Sequence, residues 1–279
     1  MAIDLRSAAP FTILAGSTTT TTGGGIINGN VGLSPLGSQG IPPGQINGTS
    51  YNGGPIAAQA QLDLNSAIIA SSPAQLPGGM NVGAELGAQN LAGGVYASPS
   101  GAFGITAADL TLHGGPKDVW VFQMASTLTV GVGRRVVLTG GAQSRNVFWQ
   151  VGSSATLETS CVFVGTVMAY ASITINASST LDGRALAQNG AVTYNGSVGT
   201  LPLPAAPLFT QIIQAGTNTA TLTIASSPYF PLTLQSSPDL LTWADIASNT
   251  PVATPSRFTN TAATVGTKRF YRAFLTPYP

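Results

Sequence analysis

A repeat of short apolar segments constrains the fold of this chain more than any other feature. Runs of Val, Ile, Leu, Thr and Phe are interrupted about every dozen residues by Gly, Asn or Ser, a pattern typical of many short strands. A threonine followed by an apolar residue also recurs, and the second residues of successive pairs lie 16, 29, 18 and 19 positions apart. These pairs are Thr111-Leu112, Thr127-Leu128, Thr156-Leu157, Thr174-Ile175 and Thr193-Tyr194.

A period near 18 residues fits one turn of a three-sided parallel β-helix. Each coil of such a solenoid lays a short strand on each of three faces, and the next coil stacks about 4.8 Å above it. Gly165 and Gly183 keep the same 18-residue step. The 29-residue gap predicts a longer loop or an irregular coil.

The segment 54–73 departs from the β pattern. Pro55 stands at the first position of the predicted helix and the sequence SSP stands at the end of the segment, which are helix start and stop signals. Its apolar residues recur at helical spacing, at Ile56, Ala60, Leu64 and Ala67/Ile68. We predict one long helix, at about residues 55–71, lying alongside the solenoid.

The composition changes near residue 199, where the chain reads GTLPLPAAP. This spacer predicts a solenoid domain at 1–200, a linker at 201–207 and a second domain at 208–279. The second domain resembles a small fibronectin-like, antiparallel β-sandwich. Trp243 and Phe270/Tyr271 are expected in its core.

Charge is scarce in this sequence. Only 7% of the residues are charged and the net charge is +1, so no strong field attracts nucleic acid or acidic lipid. No apolar run reaches the roughly 18 to 20 residues that span a bilayer, so we expect no membrane insertion.

The sequence contains one cysteine, Cys161, so an internal disulfide is excluded. Cys161 is expected to be a small strand residue or, if it is exposed, a link between two chains.

Five sequence blocks follow one another in the first domain. They are FTILAGS at 11–17, IINGNVGLSP at 26–35, VWVFQMASTL at 119–128, NVFWQVGSSATL at 146–157 and GRALAQNGAVTY at 183–194. Together these blocks resemble the ice-binding protein family of bacteria, fungi and diatoms. The resemblance implies a mainly β fold, a right-handed discontinuous solenoid whose N-terminal part returns beside the C-terminal coils. It also implies a non-catalytic, cofactor-free, monomeric protein with one flat face for ice, secreted or on the cell surface. The start of this sequence, MAIDLRSAAPF, lacks the apolar core of a signal peptide.

In bacterial members of that family, the ice face often repeats Thr, then Ala or Gly, then any residue, then Thr or Asn. The corresponding windows here are 106–109, 130–133, 159–162 and 177–180. Ser, Val, Ala and Gly replace several of the motif's threonines, which implies moderate antifreeze activity. The candidate ice-binding residues are Thr106, Ala108, Thr159, Ser160, Val162, Ser178 and Thr180. The run Thr18–Thr22 fits either an ice-binding element or a flexible connection.

Two other functional classes stay open at this point. Asp109, Glu158 and Asp182 could lie on neighbouring coils, as a polysaccharide-cleaving β-helix would require. His113 in HGGP has no accompanying G-x-S-x-G motif, which favours a loop histidine. A non-catalytic adhesion or carbohydrate-binding module is the second alternative, because the C-terminal domain could contact a cell surface or another domain.

The basic residues of the first domain are concentrated in three arginines, Arg134, Arg135 and Arg145. These arginines are expected in a solvated loop or paired with Asp118 and Glu158.

Overall fold

The computed structural model describes residues 3–215, 219–260 and 269–275, and the chain divides into two compact units, Met1–Leu203 and Pro204–Pro279. The first unit contains helix α1 (Gly54–Ser71) and short 3-10 helices at Arg6–Ala8, Pro43–Gln45 and Ser144–Asn146. Its strands are β1 (Phe11–Ala15), β2 (Thr18–Thr20), β3 (Ile26–Asn28), β4 (Asn30–Leu33), β5 (Ser38–Gln39), β6 (Ile46–Asn47), β7 (Ser50–Asn52), β8 (Met80–Asn81), β9 (Asn90–Leu91), β10 (Gly94–Ala97), β11 (Phe103–Ile105), β12 (Leu110–His113), β13 (Trp120–Met124), β14 (Leu128–Val130), β15 (Val136–Thr139), β16 (Val147–Val151), β17 (Ala155–Leu157), β18 (Val162–Ala169), β19 (Ile173–Ile175), β20 (Thr180–Ala187), β21 (Val192–Tyr194) and β22 (Val198–Thr200).

These strands form the three faces of a parallel β-solenoid, which confirms the predicted fold class. Face A contains β8, β10, β13, β16, the second halves of β18 and β20, then β1, β4 and β7. Face B is the sheet β11-β14-β17-β19-β21-β2-β5. Face C contains β9, β12, β15, the first halves of β18 and β20, then β22, β3 and β6.

The strand register gives the true coil lengths. On face B, Phe103, Leu128, Ala155, Ile173 and Val192 follow one another in register, so two coils of 25 and 27 residues precede coils of 18 and 19. The irregular spacing seen in the sequence therefore reflects longer early coils.

The N-terminal strands extend the stack beyond the last C-terminal coil, as the family resemblance implied. Strand β1 lies between β20 and β4, β2 lies between β21 and β5, and β3 lies between β22 and β6. Arg184, only 5% exposed, holds this return in place: its Nε donates to the carbonyl oxygen of Ala9 at 2.7 Å and its Nη1 donates to Thr166 Oγ1 at 3.2 Å.

The interior of the solenoid is filled by aromatic and aliphatic side chains. The rings of Phe122 and Trp149 stack with centroids 4.0 Å apart, and Phe163 follows at 5.0 Å from Trp149. Trp149 Nε1 donates to the carbonyl oxygen of Val164 at 3.1 Å, which satisfies its one polar group. Such a packed core makes the outer faces rigid.

Helix α1 covers face A. Its 18 residues measure about 27 Å. This length is close to the roughly 29 Å spanned by seven stacked strands of face A, in the order β7-β4-β1-β20-β18-β16-β13. Ala60, Leu64 and Ala67 pack against apolar residues of the sheet, including Leu14, Phe148, Met168 and Leu186. Ile56 is 52% exposed and Ala57 is buried instead, so the predicted helical face was wrong at this position.

No helix in the described part of the chain is long and apolar enough to cross a membrane.

The second unit consists of two three-stranded antiparallel sheets, β23-β24-β27 and β26-β25-β28. The strands are β23 (Leu208–Ala215), β24 (Thr219–Ala225), β25 (Leu232–Ser237), β26 (Ala244–Asn249), β27 (Ser256–Asn260) and β28 (Phe270–Leu275). Its core contains Leu222, Ile224, Leu232, Leu234 and Phe258, with Tyr271 packed against them.

The prediction that Trp243 belongs to this core was wrong. Trp243 is half-buried, and the guanidinium carbon of Arg272 lies 4.3 Å from its ring centroid. The ring therefore pairs with a surface cation on the outer side of the sheet. Phe270 is also half-buried and alternates with Tyr271 along β28, which directs it away from the core.

Candidate functional site

Face B presents a straight column of threonines to solvent. In β11, β14, β17, β19 and β21 the first and third residues are buried and the middle residue points outward, as in Leu128, Thr129 and Val130. In β2 the order is shifted by one residue, so that Thr19 is buried and Thr20 continues the outward column. The middle residues pair in register from coil to coil, at intervals of about 4.8 Å. We call this column the threonine ladder: Thr129, Thr156, Thr174, Thr193 and Thr20.

The ladder offers ordered and unused hydroxyl groups. Thr20 Oγ1 donates to Thr193 Oγ1 at 3.1 Å. The hydroxyls of Thr129, Thr156 and Thr174 make no hydrogen bond to the described part of the protein, so they are free to bind water. Threonine is stiff at χ1 and is favoured in strands, which fixes the positions of both the hydroxyl and the methyl group.

Two flanking columns of small or polar residues border the ladder. On the side of face A, the hydroxyls of Ser154 and Ser172 accept backbone N–H groups of the next coil, at 3.3 and 3.2 Å. On the side of face C, Asn176 Nδ2 donates to Glu158 Oε2 at 3.0 Å. These flanking side chains therefore hydrogen-bond within the protein, and Glu158 is the one charged group among them.

Glu85 closes the lower end of face B, beside Gly104, which holds the ladder position next to Thr129. Its carboxylate accepts the backbone N–H of Thr106 at 3.0 Å and the Thr106 hydroxyl. Burial acts to raise the pKa of Glu85, but hydrogen bonds from Thr106 and Gly87 outweigh it and lower the pKa. The hydroxyl of the predicted site residue Thr106 is thus already engaged.

The four predicted windows lie in or beside the turns that join face B to face C, and only the last two, 159–162 and 177–180, are in register with each other. Gly131, Glu158 and Asn176 occupy the positions equivalent to Thr106, whereas the windows begin one residue away, at Val130, Thr159 and Ala177. The mismatch has a physical cause, because the coils differ in length and a short sequence motif does not reveal which residues pair between coils.

The remaining candidate residues divide between the turns and face C. Thr159, Ser160 and Ser178 are exposed at turn tips, and both serines have a left-handed φ of 62°. Ala108 is half-buried in the first turn. Val162 and Thr180 lie on face C and pair with each other.

Cys161 and the threonine run also have definite places. Cys161 is fully buried beside Ser179, so the alternative of an exposed thiol linking two chains was wrong. The run begins with strand β2 of face B, where Thr18 and Thr20 face outward and Thr19 is fully buried. A flexible connection is therefore excluded for Thr18–Thr20.

The charged residues of the first unit do not converge on one site. Asp109 and Asp182 lie in different columns of face C, and Glu158 lies on the margin of face B. His113 is exposed, and its Nδ1 lies 3.0 Å from Thr139 Oγ1. In the described ranges, none of the three arginines predicted to pair with Asp118 or Glu158 forms that ion pair.

Comparison with known proteins identifies the family. The ice-binding-like family matches residues 13–199, which cover the whole of face B. The chain belongs to this ice-binding-like family. It is 41% identical over 193 residues to an ice-binding protein of Nostoc sp. (strain HG1), an alignment that covers 68% of this chain and 71% of that protein.

Solved structures of ice-binding proteins share the fold of this family member. The crystal structure of an ice-binding protein from an Antarctic biological consortium matches with a TM-score of 0.70 and 42% identity, over 73% of this chain and 92% of that one. The ice-binding protein of the Antarctic ascomycete Antarctomyces psychrotrophicus matches with a TM-score of 0.67 and 35% identity, over 72% of this chain and 98% of that one.

The threonine ladder was not among the predicted site residues, although the sequence contained a signal for it. Thr156, Thr174 and Thr193 belong to the Thr-apolar repeat, which we used only to estimate coil length. Their apolar partners are buried, which puts the threonines on the outside. Thr127 and Thr111 broke the pattern, since Thr129 holds the ladder position in β14 and Thr111 lies on face C.

Proposed function

We propose that this chain binds ice through face B and that the threonine ladder makes the central contact. The observation that carries the proposal is a column of five in-register threonines on an exposed and nearly uncharged sheet. Membership of the ice-binding-like family supports the same function.

The chemistry of the face suits a crystal of water. Ice is a rigid and neutral lattice, so a charged side chain pressed against it loses hydration energy and gains no counter-charge. A hydroxyl can take a lattice position for water, while the neighbouring methyl group leaves ordered water few competing partners. Because the strands and the χ1 angles are already fixed, little conformational entropy is lost on binding.

The proposed mechanism is physical adsorption. Bound molecules stop the ice front locally and force it to curve between them, which lowers the freezing point and inhibits recrystallisation. No covalent bond is made or broken, and no cofactor takes part. Seven strands make face B about 29 Å tall, and a patch of this kind, on the order of 400 Å², is large enough for specific binding.

We further propose that the protein acts outside the cell as a monomer, where ice grows. The second unit would then be available to contact a cell surface or another domain. Its separate core supports an independent role.

Thermal hysteresis and crystal shape, measured with a nanolitre osmometer, test the proposal. The variant Thr174→Tyr places a large ring at the middle of the ladder and is expected to abolish most of the hysteresis. The matched control is Thr139→Tyr, at an exposed threonine on the lower part of face C. A folded wild-type protein without hysteresis, crystal shaping or recrystallisation inhibition would refute ice binding, and full activity in Thr174→Tyr would refute the ladder as its site.

A further inference from the structure

A second line of uncharged residues runs beside the threonine ladder, around the corner on face C. Each coil that carries Thr156, Thr174, Thr193 or Thr20 also carries a β-branched residue just after the turn into face C. We call these residues the corner column, and they pair in register: Val162, Thr180, Val198 and Ile26. Val198 is 44% exposed and Ile26 is 48% exposed, although both are apolar.

The turns between the two columns carry small, uncharged side chains. Thr159, Ser160, Ala177 and Ser178 are exposed there, and Gly196 occupies the equivalent tip of the next coil. Ladder, turn tips and corner column thus form a continuous band over four coils. Its one acidic group is Glu158, which is half-buried and accepts a hydrogen bond from Asn176.

Charged and bulky features mark the limits of this band. On the earlier coils the same positions of face C hold Asp109 and Arg135, which are hydrogen-bonded through Asp109 Oδ1 and the Arg135 N–H at 3.0 Å. In the next column of face C stands Asp182, and Val164 there is only 7% exposed because the 3-10 helix at 144–146 packs against β18 and β20. The uncharged surface is therefore confined to the four coils that carry Thr156, Thr174, Thr193 and Thr20.

We infer that the corner column is a second ice-contacting strip, set at an angle to face B, so that the protein engages two different ice planes. This inference rests on the proposed ice-binding function. The corner column is about 15 Å long and one residue wide, far less than the roughly 800 Å² per partner of a stable protein interface. A protein partner is thus disfavoured, whereas ice matches the neutrality of the corner column and the repeat that it shares with the ladder.

The experiment is to bind fluorescently labelled protein to a single ice crystal and to map the planes that become labelled. Val198→Lys and Thr180→Tyr alter the corner column, Thr174→Tyr alters the ladder, and Thr139→Lys is the control on the charged part of face C. Circular dichroism and thermal melting show that each variant is folded. We expect wild type and control to label two sets of planes, and both corner variants to lose one set while keeping the other.

The outcomes separate this inference from the proposed function. Corner variants that label every wild-type plane with unchanged hysteresis overturn the second strip and leave face B intact. A single labelled set of planes in the wild type also overturns it. Absence of any ice labelling in folded wild type overturns the proposed function itself, and the second strip with it.

Discussion

Replacing Thr19 by valine should stabilise the protein without affecting ice binding. Thr19 is fully buried in β2, and its Oγ1 has no hydrogen-bond partner among the residues that the structure describes. A buried hydroxyl without a partner costs about 1–3 kcal/mol, and valine has nearly the same shape. A gain of about 2 kcal/mol corresponds to a rise of roughly 4–8 °C in Tm for a unit of this size. Thermal unfolding followed by circular dichroism measures the change.

The neighbouring variant Thr20→Val provides a matched control with the opposite result. Thr20 is exposed on the ladder, and within the described ranges its hydroxyl hydrogen-bonds only to Thr193, so its loss should leave Tm nearly unchanged and lower the thermal hysteresis. A Tm below that of wild type in Thr19→Val would refute the reasoning, because it would mean that the buried hydroxyl has a partner such as an internal water. Equal hysteresis in Thr20→Val and wild type would remove Thr20 from the site.

Two further predictions concern the lower end of face B. Gly104→Thr should extend the ladder by one threonine and raise thermal hysteresis. The new side chain has room, because a Cβ at this position would lie 3.4 Å from Glu85 Oε2 and 3.5 Å from the Thr106 methyl carbon, which are ordinary contacts. Unchanged hysteresis would contradict the idea that the length of the ladder determines activity. Glu85→Gln should lower Tm at neutral pH. The pKa of Glu85 is lower in the folded protein than its ordinary value of 4.5, so the ionised carboxylate stabilises the fold at pH values above 4.5, and this stabilisation is lost as the pH falls through the pKa of the folded protein. A Tm difference between variant and wild type that is the same at pH 7 and pH 2 would contradict this assignment.

The fold could be predicted well because its signals are local. Alternation of buried and exposed residues marks each short strand, and the proline before Ile56 marks the start of the helix. The orientation of the helix was harder to predict, since Gln61 and Asp63 are buried although both are polar. Gln61 Nε2 donates to the carbonyl oxygen of Ala187 at 3.1 Å, and Asp63 accepts the N–H of Ser7 at 3.2 Å. Such long-range partners leave no trace in the local pattern.

The candidate site was harder to predict because it depends on register. The four windows were chosen by their likeness to a four-residue motif, and the last three begin one residue away from the positions equivalent to Thr106. In a strand, a shift of one residue moves a side chain from one face to the other. Only the pairing of β14 with β17 establishes that Thr129, and not Thr127, continues the column of Thr156. The insertion that lengthens the earlier coil hides this relation in the linear sequence.

The ladder also depends on chain closure, which no local pattern encodes. Four of its threonines lie on consecutive coils of the C-terminal stack, but Thr20 is supplied by the N-terminal return. That return is held by Arg184, which donates to the carbonyl oxygen of Ala9, and by the packing of Leu14 beneath helix α1. The last rung of the ladder is therefore positioned by contacts on face A and at its margin. Because the proposed adsorption through face B requires a rigid and aligned array, we expect the helix and the buried arginine to support binding although neither belongs to face B.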